Sequence, residues 1–158
     1  MNATEQKLKD MGLELPPAPV PVASYIPARI FGEHDNLVYV SGQDCRKNGV
    51  LLHEGKLGAD VTIQEGVDCS RQACLNCLAA LKSAISDLDR VKRVVKLLGF
   101  VQSAPGFGQQ PAVMNGASDL LVALYGENGR HARAAIGTSE LPFNTPVEVE
   151  MILELYTE

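Results

Sequence analysis

The stretch from Arg130 to Leu155, RHARAAIGTSELPFNTPVEVEMILEL, puts an arginine and a glutamate on what read as neighbouring short strands. His131 to Ile136 reads as a strand closed by Gly137, Leu141 to Pro146 as a turn-rich connection, and Val147 to Leu155 as a strand alternating apolar with acidic residues. Arg133 stands among Ala132, Ala134 and Ala135. Small neighbours leave room around a planar, permanently charged fork that suits a carboxylate. The expectation is a pocket in which Arg133 holds an anionic ligand and Glu148 lies within reach of it. The alternative is an exposed ion pair between Arg133 and Glu148 or Glu150, which would contribute little.

Other chemistry is less well supported. Cys69, Cys74 and Cys77 fall within one expected helix and Cys45 is the remaining thiol, so a second ligand pair with zinc-site spacing is missing and core packing is the expected role. The net formal charge of -5 argues against generic nucleic-acid binding, which depends on neutralising phosphates. Lys92, Arg93 and Lys96 form a local basic group that reads as a solvated strand face. The Gly106-Phe107-Gly108 triplet lacks the rest of either phosphate-loop fingerprint, so it reads as a turn and no cofactor is expected.

A chain of 158 residues with 46% hydrophobic and 21% charged residues fits a single folded domain. It has no apolar run approaching the roughly 20 residues that span a bilayer, and MNATEQKLKDMG lacks a secretory signal, so the expected compartment is the cytoplasm. Residues 1–24 read as an arm: a short helix from Thr4 to Met11 stopped by Gly12, then a proline-rich connector from Leu15 to Pro21. Residues 25–158 form the domain proper.

There, Ala28 to Phe31 and Leu37 to Ser41 read as a hairpin, and Asn48 to Gly58 as a loop. Thr62 and Glu65 have capping-box spacing and open a long helix to about Leu88. Val91 to Val101 is a strand, followed by a second helix with Pro111 in its first turn and Gly126 after its end. The order ββαβαββ implies one mixed sheet with two long helices on one face. Val91 to Val101 is apolar at both parities, with Val94, Leu98 and Phe100 on one side and Val95, Leu97 and Val101 on the other. One side meets the helices; the other needs a second subunit, or local cover by the N-terminal arm.

Several of these residues together resemble the YjgF/RidA family, also labelled endoribonuclease L-PSP. They are Ser41-Gly42-Gln43, Ala104-Pro105-Gly106-Phe107 with Val113-Met114-Asn115, Ala132-Arg133, Leu141-Pro142 and Val147 to Glu150. The resemblance spans about Tyr25 to Leu155. It implies a chorismate-mutase-like α/β (α+β) fold assembled as a homotrimer, with small-molecule sites between subunits. It also implies hydrolysis of reactive enamines and imines such as 2-aminoacrylate to 2-oxo acids and ammonia.

By the same resemblance, Arg133 would clamp the substrate carboxylate and Glu148 would hold the attacking water. Tyr25 would form a pocket wall, Ser41, Gly42 and Asn115 would line the pocket, and the backbone at Ala135 would contact the imine. Family members often carry cysteine at that last position, so no thiol role is expected here. A protonated imine is already electrophilic, and positioning one water supplies most of the benefit without metal or cofactor. The lengthened first hairpin, the arm and the Gly-Phe-Gly loop mark a divergent branch. A carboxylic-acid-binding sensor without turnover is therefore the second reading, and the acidity of the chain places the ribonuclease label last.

Overall fold

Thr62 and Glu65 do form a capping box: the Thr62 hydroxyl accepts from the Glu65 N–H at 3.2 Å, and the Glu65 carboxylate accepts from the Thr62 N–H at 2.8 Å. The helix they open, Ile63–Ile85, ends at Ser86, before the expected Leu88. In the computed structural model, which describes residues 2–157, the helices are Ala3–Asp10 (α1), Ile63–Ile85 (α2) and Gln110–Tyr125 (α3). The strands are Ala28–Phe31 (β1), Leu37–Gln43 (β2), Arg46–Lys47 (β3), Val50–Leu51 (β4), Val91–Gln102 (β5), Ala132–Thr138 (β6) and Val147–Leu155 (β7). β3 and β4 pair as a small separate hairpin, where the sequence suggests only a loop.

The main sheet has the order β1-β2-β7-β5-β6. Only β5 and β6 are parallel, so the sheet is mixed as expected. α3 is the crossover between them, and it carries the chain out to an edge at β6. β7 then returns inside β5. The two strands bearing Arg133 and Glu148 are therefore not neighbours, because β5 lies between them.

α2 and α3 cover one face of the sheet, and Val147, Val149, Met151, Leu153 and Leu155 of β7 all turn inward beneath them. The two helices touch at glycine. A Cβ at Gly116 would collide with the Val67 carbonyl and the Ser70 hydroxyl, and one at Gly99 would collide with the Met114 side chain. Cys69, Cys74 and Cys77 are buried in this layer, and Cys77 donates to the Val149 carbonyl at 3.2 Å. Burial pushes the Cys74 thiol up to about 12.

β5 departs from simple alternation. Its register against β7 shifts between Val94 and Lys96, so Val94 and Leu97 both face the core along with Val101. The parity reading, which put Val94 with Leu98 and Phe100, fails at this bulge.

The opposite face of the sheet stays open. Phe31, Tyr39, Val95 and Ile136 are exposed. The N-terminal arm does not cover them. α1 docks at the far end of α3 instead, with Thr4 bonded to Asp89, Lys7 donating to the Leu124 carbonyl, and Leu8 buried. Leu13 and Leu15 then pack against the core beside α2.

Candidate functional site

The expected site residues fall into two groups at different places on the chain. Tyr25, Gly42 and Glu148 line one cavity of about 730 Å³ at the end of the sheet where β2 and β7 meet the β3–β4 hairpin. Asn115 and Arg133 line a separate hollow against α3. Among the described residues no ion pair joins Arg133 to Glu148 or Glu150.

Glu148 lies on the open face of the sheet, since its neighbours Val147 and Val149 are the ones buried. Gly42 makes space for it: a Cβ there would lie 3.1 Å from the Glu148 Cδ. Burial, reinforced by the charges of Asp44 and Glu150, holds the Glu148 carboxyl above its ordinary value of 4.5. A carboxylate of raised basicity is the better proton acceptor near neutral pH. Glu150, the next outward residue on β7, accepts from the Tyr39 hydroxyl at 3.0 Å. Ser41 donates to the Ile26 carbonyl at 2.6 Å and so fastens the segment that carries Tyr25.

Three further residues of this cavity were not singled out from the sequence: Arg46, Asn76 and Phe143. Asn76 reaches from α2 and donates to the Asp44 and Arg46 carbonyls, both at 2.9 Å, which fixes the loop ahead of the hairpin. Arg46 pairs with Asp44 at 3.0 Å, and its guanidinium stands 4.7 Å from the centre of the Phe143 ring. They come from β3, α2 and the connection between β6 and β7, segments far apart in sequence, so no local pattern signals this convergence.

Arg133 points to the helix side of β6. Its Nη1 donates to Asn115 Oδ1 at 2.9 Å and to Ser118 Oγ at 3.1 Å, and its Nη2 makes a longer contact of 3.5 Å with the Pro111 carbonyl. Among the described residues the Nε–H and one Nη2–H have no partner. Nε and Nη2 are a pair of guanidinium donors whose parallel geometry matches a carboxylate. β6 is an edge strand, so backbone donors and acceptors along its outer side, around Ala135, lack a strand partner too.

Behind Arg133 stands His131, immediately before β6. His131 Nδ1 lies 2.7 Å from the Gly129 carbonyl and Nε2 lies 2.9 Å from Ser118 Oγ. A carbonyl can only accept, so the neutral ring carries its proton on Nδ1 and its Nε2 accepts the Ser118 hydroxyl proton. Ser118 is thereby turned to offer its lone pairs to Arg133. Spacing alone could not reveal this relay, because Ser118 and His131 are brought together by the α3-to-β6 connection.

Residues 5–155 match the YjgF/chorismate mutase-like family, whose description carries an endoribonuclease label. Protein TCP17 of Trypanosoma cruzi is 42% identical over 149 residues, covering 94% of this chain and 91% of its own length. The crystal structure of the protein Atu1372 from Agrobacterium tumefaciens superposes with a TM-score of 0.90 at 42% identity, covering 98% of this chain and 93% of that one. RidA from an Antarctic Psychrobacter gives a TM-score of 0.60 at 28% identity, covering 87% and 94%. No helix among the described residues is long and apolar enough to cross a membrane. By sequence and by fold, the chain belongs to the YjgF/RidA family.

Proposed function

We propose that the protein is a hydrolytic deaminase of amino-acid-derived enamines and imines, working as a cytoplasmic homotrimer whose sites form between copies. The observation that carries this reading is the separation of the two half-sites. One half offers the guanidinium of Arg133, held through Nη1 by Asn115 and Ser118, and the other offers a partly buried carboxyl on Glu148 beside Tyr25 and Gly42. Two copies that meet through the open sheet face and the β6 edge would oppose these halves. The exposed apolar residues on that face favour such an assembly, and four free cysteines suit a reducing compartment.

In this reading Arg133 binds the substrate carboxylate through Nε and Nη2, with Asn115 and Ser118 holding the other end of the guanidinium. Glu148 takes a proton from water as its oxygen attacks the carbon of the protonated imine. The resulting carbinolamine receives that proton on nitrogen and expels ammonia, which takes up the hydroxyl proton as the C=O bond of the 2-oxo acid forms. The balance is one iminium and one water consumed, one oxo acid and one ammonium released. Most of the acceleration comes from orientation, since a protonated imine is electrophilic without a metal or an organic cofactor.

The test is turnover of an imine generated in place by a serine or threonine dehydratase, with semicarbazide trapping what remains. Loss of semicarbazone in proportion to added protein supports the deaminase. Undiminished trapping alongside measurable 2-oxo acid binding would instead favour a sensor.

A further inference from the structure

The cavity around Glu148 is larger than a three-carbon imine requires, and most of its wall is apolar. Its volume of about 730 Å³ falls in the range of roughly 300–1,000 Å³ typical of pockets for considerably larger ligands. Pro16, Pro17, Val20 and Val22 of the N-terminal arm form one side, and Tyr25 and Phe143 supply aromatic surface. Resting on the deaminase reading above, we infer that this cavity selects imino acids with a bulky, uncharged apolar or aromatic side chain, and that Phe143 is a specificity-determining residue that stacks on it.

Two independent features of Phe143 point the same way. Its ring is 68% exposed, although an aromatic of this size gains most from burial. Its backbone is left-handed, with φ 60° and ψ 15°, a conformation costly for a bulky residue. Strain and exposure at one residue are the pattern of a ligand contact held ready. Arg46 braces the ring from one side, with its own charge matched by Asp44.

Charge narrows the class further. Among the described residues the charged groups lining the cavity are Asp44, Arg46 and Glu148, with Glu150 close behind. Arg46 is committed to Asp44, so a second carboxylate on the substrate side chain would meet net negative surroundings and, among the described residues, no free cation. Side chains derived from aspartate or glutamate are disfavoured for that reason.

Stable 2-oxo acids test this without requiring turnover. Calorimetric titration of the full chain with pyruvate, 4-methyl-2-oxopentanoate, phenylpyruvate and 2-oxoglutarate should show the two apolar acids binding at least about ten-fold tighter than pyruvate, with 2-oxoglutarate weakest. Phe143→Asn, which suits the left-handed backbone, should reduce the phenylpyruvate-to-pyruvate ratio by about five-fold or more, and Phe143→Gly should do the same. Pyruvate binding as tightly as the bulky acids, no binding of any acid, or an unchanged ratio in both variants would overturn the inference. Ordered binding without imine turnover would uphold it while rejecting the deaminase.

Discussion

Arg133 and Glu148 project from opposite faces of one sheet, with β5 lying between their strands. Arg133 is level with Leu97 and Met151, whereas Glu148 is level with Phe100 and Ile136. Their backbones are thus about 10 Å apart across the sheet and about 10 Å apart along it. No rotamer change in a single copy brings a substrate carboxylate at the Arg133 edge to a water on Glu148. A second copy must supply one of the two groups if both act on one ligand.

Replacing Arg133 with lysine tests the fork. Lysine keeps the charge but has neither the parallel donors for a carboxylate nor the planar end held by Asn115 and Ser118. Losing one charge-assisted bond of about 1.5–3 kcal/mol predicts roughly a 10- to 100-fold fall in kcat/KM, with an unchanged melting temperature. Parental kinetics in Arg133→Lys would remove the carboxylate clamp from the mechanism.

Glu148→Gln should separate activity from stability. As a lost proton acceptor it predicts kcat down by about 10²–10⁴-fold while 2-oxo acid binding is retained. Because the folded carboxyl titrates above 4.5, the folded protein keeps a proton there after the unfolded chain has released its own. That contribution to stability is full below the ordinary carboxylate value and is lost as pH rises through the raised one. The glutamine variant cannot ionise, so it should melt above the parent at pH 8 and level with it near pH 4. An equal offset at both values would show that the effect is packing and not ionisation.

Ser118→Ala removes the bond that turns Arg133 and leaves His131 Nε2 without its donor. One such bond is worth about 1 kcal/mol, which predicts KM raised roughly five-fold with kcat little changed. Ser118→Thr keeps the hydroxyl and should restore much of the affinity. A fall in kcat at constant KM would place Ser118 in the chemical step and not in positioning.

Most of the elements were legible because each carries a local signal. Alternation marked β7 from Val147 to Leu155, the Thr62–Glu65 pair marked the start of α2, and Pro111 and Gly126 bracketed α3. Strand order was not legible at Arg133 and Glu148. They are close in sequence, yet the parallel crossover through α3 sends β6 to the edge and lets β7 return inside β5. The bulge in β5 moved Val94 to the core face, a change that no parity count detects. Arg46, Phe143 and the Ser118–His131 relay owe their roles to contacts between segments far apart or turned toward each other only by the fold.

The central claim, that the working site takes Arg133 from one copy and Glu148 from another, is most directly tested by co-expressing two inactive chains, Arg133→Ala and Glu148→Gln. In randomly mixed oligomers an intact site forms wherever the glutamine chain supplies its Arg133 and the alanine chain supplies its Glu148. The randomly mixed pool is predicted to recover about a quarter of parental imine turnover, and mixed trimers purified from it about a third, while each chain alone remains inactive. Mixed assemblies as inactive as either variant alone would contradict the account and confine the site to a single chain.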